Sequence, residues 1–275
     1  MTAVAQPFTI RRPYSGQLRA YVAFARIGAR NEFAARATVL GRVLFLAIIL
    51  LVFSRLWAVV ADSGMLRGLT RADLVWYLVV TELVVLSFPY IHLLVEDDLR
   101  SGELIARLPQ PISFAGARVA EAVGGVAVRL AFLAPGAAVA ATVFGGFPAH
   151  PAGLLLVAPL LPLAVSLGVV SSAGIGVAAL WVHDASPLFW LWQKFVFILG
   201  GLMLPLQIYT HWLRVFAEWT PFGAMLNGPA RMLFAFDPGD ALRVGLQLVF
   251  WNAVGWAGLA WLWTRALRAL DGYGG

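Results

Sequence analysis

The stretch Glu96–Ser113, EDDLRSGELIARLPQPIS, lies between two long apolar runs and holds the densest mix of charges in the sequence. Its acidic and basic side chains share one short helical pattern that stops at Pro109 and Pro111: Glu96, Asp97, Asp98, Glu103, Arg100 and Arg107. Residues this polar cannot lie in hydrocarbon, so we predict a water-exposed connection between two membrane-spanning segments. If the connection faces the cytosol, it can contact a soluble partner.

The composition is typical of an integral membrane protein. Of the 275 residues, 61% are hydrophobic and 12% are charged, whereas soluble domains carry about 25% charged residues. Several apolar runs exceed the roughly 20 residues that a helix needs to cross a bilayer, while the strands of a membrane barrel alternate over about 10 residues. The net charge of +6 comes almost entirely from arginines. They cluster at the ends of the runs and indicate orientation rather than nucleic-acid binding.

We therefore predict an all-α integral membrane protein of one domain (1–275), with six transmembrane helices between residues 38 and 265. The spans are expected at Val39–Val60, Leu74–Val95, Val119–Phe144, Leu154–Val182, Pro187–Leu206 and Ala241–Leu262. Six spans place both termini on one side of the membrane. That side carries more of the arginines near the spans, so the positive-inside rule puts both termini, the Glu96–Ser113 connection and a short tail at 266–275 in the cytosol.

Residues 1–37 are predicted to be a cytosolic lead followed by an interfacial amphipathic helix. Between Gln17 and Arg36, arginines fall on one helical stripe and apolar side chains on the next: Arg19, Arg26 and Arg30 beside Leu18, Val22, Ala25, Ala29 and Phe33. This pattern predicts a helix lying in the membrane interface. The alternative is a helix packed on the protein's own cytosolic face. We expect no cleavable signal, because the first apolar run begins near Val39.

The segment Gln207–Asp240 fits neither a free loop nor another full span. It is too apolar for a loop, and prolines and glycines break it at Pro221, Gly223, Gly228 and Pro229. We predict two short re-entrant helices joined near Trp219–Phe222. Irregular backbone at that depth is tolerated only where protein or water covers it, so these pieces are expected to line a subunit contact or a pathway. The candidate pathway or gate residues are Lys194, Pro205, Trp219, Pro221 and Phe222.

Sequence motifs for chemistry within the chain are absent. There is no cysteine, which excludes disulfides and thiolate sites. Lys194 is the only lysine and lies in an apolar run, so there is no phosphate-binding loop and we expect no ATP hydrolysis by this chain. The histidines have no metal-ligand spacing, and we expect no metal site: His92, His150, His183 and His211.

Two charged residues, Glu82 and Arg129, fall near the middle of the predicted second and third spans. An unpaired charge at that depth costs about 3 kcal/mol or more. Because the two spans are antiparallel and joined by the Glu96–Ser113 connection, we predict that these residues meet as a buried pair. Such a pair either lines a substrate path or fixes helix packing or a dimer contact, and the packing role is the commoner one.

The order of these parts resembles a known family. The connection has the form acidic, Arg, Ser, Gly, two apolar positions, Leu, Pro, Pro, carried here by Asp98, Arg100, Ser101, Gly102, Leu104, Ile105, Leu108, Pro109 and Pro111. Two later stretches, LGGLMLPLQIYTHWL from Leu199 and WTPFGAMLNGPARMLF from Trp219, are similar to the fifth span and the re-entrant pieces of the same family. The chain resembles the membrane subunits of type-2 ATP-binding-cassette exporters, and within them the small six-span permeases of uncharacterised substrate.

The resemblance implies partners and a direction of transport. In this family the first cytosolic loop docks on a separate cytosolic ATPase dimer, which holds the ATP and Mg. The loop residues Glu96, Asp97, Asp98, Arg100, Glu103 and Arg107 would then be the coupling contacts. The family further implies a second permease copy or a related permease, contact with membrane lipid, a bacterial-type cytoplasmic (inner) membrane, and outward movement of a hydrophobic or amphipathic substrate. The short outside loops leave no room for a folded extracytoplasmic domain.

Two other functions are open at this point. The chain could be a scaffold or assembly factor that transports nothing, in which case its charged connection is only a solvated loop. A membrane enzyme acting on lipid would need an interfacial cluster of His, Asp or Ser, and the sequence has none. Activity of a co-purified ATPase that changes with added lipid or drug would favour transport.

Overall fold

The structure is a computed structural model that describes residues 14–61, 68–104, 112–182 and 184–272. Every regular element in these ranges is helical, and there is no strand among them. The α-helices are α1 (Tyr14–Ala34), α2 (Arg36–Ala61), α3 (Arg71–Leu86), α4 (Ile91–Arg100), α5 (Phe114–Gly145), α6 (Gly153–Val182), α7 (Ser186–Leu199), α8 (His211–Trp219), α9 (Pro221–Met225), α10 (Asn227–Ala230) and α11 (Pro238–Gly272). Short 3₁₀ turns occupy Leu206–Ile208 and Arg231–Leu233.

Four helical runs are long and apolar enough to cross a membrane: Arg36–Val59, Arg71–Arg100, Phe114–Gly145 and Gly153–Val182. They coincide with the first four predicted spans, which supports a multi-pass membrane protein. The remaining two predicted spans correspond to α7, which has only 14 residues, and α11, whose apolar run is interrupted by Gln247 and Asn252. Membrane crossing by α7 and α11 stays a prediction.

The helices differ from the prediction in three places, and for two of them the backbone gives the reason. The second predicted span is not one helix: α3 ends at Leu86 and α4 begins at Ile91, because Pro89 lacks an N–H and disfavours helix in the residue before it. The fifth predicted span ends at Leu199 instead of Leu206, and Gly201 then turns the chain with φ +70°. The predicted tail 266–275 begins inside α11, which continues to Gly272.

The helix α3 lies at the centre of the fold. Its side chains from Asp73 to Val84 are all buried, and it contacts α2, α5, α6 and α10. The side chain of Thr70 and the carboxylate of Asp73 form a capping box at its start, which satisfies N–H groups that no helical carbonyl can reach.

The first helix packs on the protein. α1 runs parallel to the first half of α5, because Tyr21 lies over Gly116 while Glu32 lies beside Arg129. A Cβ added at Gly28 would lie 1.8 Å from the carbonyl oxygen of Glu121, so the two backbones touch directly. The predicted helix over 17–36 is confirmed. Its contact with α5 agrees with the alternative prediction, in which this helix packs against the protein itself. The predicted arginine stripe and three residues of the predicted apolar stripe are exposed: Arg19, Arg26, Arg30, Leu18, Val22 and Phe33.

The chain between α7 and α11 is fastened to α3 by hydrogen bonds. The Tyr77 hydroxyl donates to the carbonyl of Gly201 at 2.6 Å, and the Thr81 hydroxyl donates to that of Leu202 at 2.7 Å. The Asn227 Oδ1 accepts from the Leu206 N–H at 3.1 Å. The segment predicted as two re-entrant helices contains the three short helices α8, α9 and α10, with a break at Thr220 where the prediction placed it. Entry of these helices into a membrane stays a prediction.

Candidate functional site

The carboxyl end of α3 is held by two arginines from neighbouring helices. The Arg42 guanidinium on α2 donates to the Leu86 carbonyl at 2.5 Å. Arg129 on α5 donates to the carbonyls of Ser87 and Phe88 at 3.1 and 3.0 Å. The last carbonyls of a helix have no partner inside it, and cations are favourable at that end. These two side chains therefore stabilise the break between α3 and α4.

The carboxylate that pairs with Arg129 is Glu32 of α1, and this corrects the predicted Glu82–Arg129 pair. The two side chains form two hydrogen bonds at 2.7 and 2.5 Å, and both are largely buried. Arg129 lies level with the end of α3, whereas Glu82 lies one turn before that end. The prediction failed because it placed α1 away from the spans, where Glu32 could not reach.

Glu82 faces a cavity between α2, α3 and α7. Glu82 is only 4% exposed, and no hydrogen bond or ion pair joins its carboxylate to any residue that the structure describes. The cavity has a volume of about 380 Å³. Its polar lining is Glu82, Arg42, Tyr90 and Gln193, and its aromatic lining is Phe45, Phe88, Phe189, Trp192 and Phe197.

Two of the predicted coupling residues point into the protein. Asp98 on α4 accepts from Arg118 of α5 at 2.7 and 2.5 Å, and Arg118 also donates to Glu121 at 3.0 Å. Glu96 is buried and accepts from Arg100 at 2.6 Å, one turn further along α4. Asp98 therefore holds α4 against α5, and neither Asp98 nor Glu96 belongs to the outer surface of α4.

The outward surface of α4 carries Asp97 and Arg100, and Glu103 follows just beyond the helix. Gly102, with φ +74°, ends the helical run before Glu103. Arg107, the last predicted coupling residue, lies outside the described residues. Asp184, ahead of α7, is close enough to Arg100 for their charges to interact, and the hydrogen bond from the Ser186 N–H lowers the pKa of its carboxyl. We name Asp97, Arg100, Glu103 and Asp184 the charged face.

The inner side of α4 is fitted closely against α6. The His92 Nδ1 lies 3.3 Å from the Ser172 hydroxyl, and its ring stacks on Phe189 at 3.9 Å between centroids. The Cα of His92 and the side chain of Val95 lie against Gly176, where a Cβ would come within 3.0 Å of that Cα. Sequence reasoning assigned His92 no role. Its position among Ile91 and Val95 at helical spacing is the signal that it is buried.

The predicted pathway or gate residues do not form one group. Lys194 is exposed, with its Nζ 5.8 Å from the ring centroids of Trp190 and Phe197. Trp219 is exposed and lines an apolar groove with α11. Phe222 packs on Phe195, with 5.8 Å between ring centroids. Pro205 is buried and Pro221 is half-buried. A shared gate made of these five residues stays a prediction.

Comparisons with known proteins do not assign the chain to a family. No protein-family model matches the chain, and no curated protein matches it. Among the described residues, no group of three or more His, Asp or Glu side chains is placed to hold a metal ion. The features of the molecule that bear on its function are therefore α4 with its internal anchors and the cavity at Glu82.

Proposed function

We propose that this chain is the permease subunit of an ATP-binding-cassette exporter, driven by a separate cytosolic ATPase that docks on residues 96–113. The observation that carries the proposal is the division of charges on α4. One side of this short helix is anchored inside by Asp98 and His92, while Asp97 and Arg100 are presented to solvent. A helix held in this way can receive a push from a docked protein without losing its own contacts.

The contacts of α4 determine which helices would move when a docked protein displaces it. The Asp98–Arg118 pair joins α4 to α5, and the fit of His92 against Ser172 joins it to α6. The break before α4 is held by Arg42 and Arg129, which belong to α2 and α5. In our proposal, displacement of α4 therefore moves α5 and α6 directly and tilts α3 at its clamped end.

The complete arrangement that we propose has six spans, including α7 and α11, in a bacterial-type cytoplasmic membrane with both termini in the cytosol. The chain has no phosphate-binding loop, so ATP and Mg belong to the partner ATPase dimer. α2 exposes an apolar face that a second permease copy or lipid would cover: Leu40, Leu44, Ile48, Leu51 and Val52. The substrate is hydrophobic or amphipathic and moves outward.

The test is purification of the tagged chain from gently solubilised membranes, with identification of what comes with it. We expect a cytosolic ATPase. Asp97→Lys combined with Glu103→Lys is expected to abolish both the association and ATP-dependent export while the chain still inserts. The matched control is Arg243→Glu, an exposed charge on α11. This part of α11 packs near Leu160 of α6, far along that helix from the α4 contact at Ser172.

The results separate the three functions. Full association and full export in the double variant would overturn the coupling role of the charged face. Association with other membrane proteins, without an ATPase, would identify a scaffold. ATPase activity of the purified complex that changes with added lipid or drug would support transport.

A further inference from the structure

The cavity between α2, α3 and α7 has the walls of a ligand site. Its volume of about 380 Å³ falls within the roughly 300–1,000 Å³ of small-molecule pockets. Aromatic rings from α2, α7 and the break before α4 line it together with aliphatic side chains: Phe45, Phe88, Phe189, Trp192 and Phe197. Such a surface suits the body of a hydrophobic molecule, and the face of an aromatic ring attracts a cation.

Glu82 is the exception among the buried acids. The four buried acidic residues that the structure describes are Asp73, Glu82, Glu96 and Asp98. Asp73 accepts hydrogen bonds from Thr70, Glu96 from Arg100, and Asp98 from Arg118. Glu82 has no such partner among the residues that the structure describes, and it lines the cavity. A carboxylate in apolar surroundings is costly unless a cation lies beside it.

The arginine in the same cavity does not supply that cation. Arg42 donates to the Leu86 carbonyl at 2.5 Å, and Leu86 follows Glu82 by one helical turn, or about 6 Å along the axis. Arg42 also lies near the Glu32–Arg129 pair, whose charges act on it. The cavity therefore contains Arg42, which is bonded to the end of α3. It also contains Glu82, one turn earlier on α3, which has no counterion among the described residues.

We propose that this cavity binds a hydrophobic cation, with the positive centre beside Glu82 and the apolar body against the aromatic wall. The inference rests on the proposed function and narrows its substrate class from hydrophobic or amphipathic compounds to lipophilic organic cations. Binding provides the counterion that Glu82 lacks. The ligand is recognised by charge together with ring contacts, so many cations of similar size would bind.

The test uses two probes of matched size and opposite charge, tetraphenylphosphonium and tetraphenylborate. Equilibrium binding is measured on the full chain in nanodiscs of zwitterionic phosphatidylcholine, with binding to empty nanodiscs subtracted. We expect saturable binding of tetraphenylphosphonium in preference to tetraphenylborate. Glu82→Gln is expected to weaken phosphonium binding about tenfold or more, because it removes the only carboxylate among the described residues that line the cavity.

The matched control is Glu218→Gln, which removes a carboxylate on α8 that pairs with Arg214 outside the cavity. It is expected to leave phosphonium binding within about twofold of the unchanged chain. Equal binding of the two probes, preference for tetraphenylborate, or unchanged affinity in Glu82→Gln would each overturn the proposal. The probe comparison on the unchanged chain decides the matter even if Glu82→Gln does not fold.

The binding measurement needs no ATPase, so the two proposals fail separately. Selective phosphonium binding by a chain that associates with no ATPase would keep the cation site and overturn the exporter. Association with an ATPase and active export, without selective phosphonium binding, would keep the exporter and overturn the cation site.

Discussion

Asp98 of α4 and Arg118 of α5 are joined by two hydrogen bonds, at 2.7 and 2.5 Å, across 20 residues of sequence. Asp98 is 3% exposed and therefore buried, while its neighbour Asp97 is exposed. Two adjacent acids in one charged stretch therefore have opposite roles. One holds α4 on the protein, and the other is available to a partner.

Replacing Asp98 and replacing Asp97 should lower the stability of the protein by different amounts. Asp98→Asn leaves Arg118 with Glu121 as its remaining partner, and we expect a loss of about 2 kcal/mol or more, since broken buried pairs cost about 3–5 kcal/mol. Asp97→Asn should change stability by less than about 0.5 kcal/mol. Thermal unfolding of the purified variants measures both. Equal losses would contradict the assigned difference in burial.

The pair between Glu32 and Arg129 should be strongly coupled. Glu32→Gln and Arg129→Gln each leave one charge buried and unpaired, so each is expected to destabilise the protein by about 3 kcal/mol. The double variant should lose less than the sum of the two, because neither charge is then left behind. Thermal stability of the four proteins in the cycle measures this. Strict additivity would show that the two residues do not interact.

The contact between α1 and α5 should not tolerate a methyl group. A Cβ at Gly28 or Gly124 would lie 1.8 Å from a backbone oxygen of the other helix, so Gly28→Ala and Gly124→Ala should separate the helices and lower stability. Gly258→Ala is the control, since nothing lies within 4 Å of its added Cβ. It should be neutral, or stabilising by up to about 1 kcal/mol. Protease cleavage within α1 reports the separation, and unchanged resistance in Gly28→Ala would contradict the close packing.

The sidedness of the charged face can be measured directly, because the chain has no cysteine. Asp97→Cys should react with a membrane-impermeant maleimide only from the cytosolic side, and Phe147→Cys, at an exposed position between α5 and α6, only from the opposite side. Val84→Cys is buried and should not react from either. Labelling of Asp97→Cys in intact cells would overturn the proposed coupling to a cytosolic ATPase.

Hydrophobicity and length were sufficient to predict the all-helical class and the first four spans. They could also predict that 96–104 is a polar connection, because charge within an apolar chain is a local signal. The burial of Asp98 was within reach of the same reasoning. Ile91, Val95 and Asp98 follow one another at helical spacing on one face, so the carboxylate lies on the buried stripe.

Partners across the fold could not be predicted in this way. Periodicity shows which face of a helix is apolar, but it does not show which other helix covers it. The pairing of Arg129 with Glu32 depends on α1 packing against α5, and that packing depends on Gly28 lying against Glu121 and Gly124 lying against Ala25. The sequence could not predict that Glu82 has no hydrogen-bond or ion-pair partner among the described residues, because this depends on the positions of side chains from other helices.

The direct backbone contact at Gly28 and Gly124 has a mechanical consequence. With no side-chain layer between them, α1 and α5 cannot slide past each other without opening the whole contact. The two helices should therefore rotate as a single rod. A spectroscopic label at Leu18, on the exposed side of α1, would then report the rotation of α5 from outside the bundle.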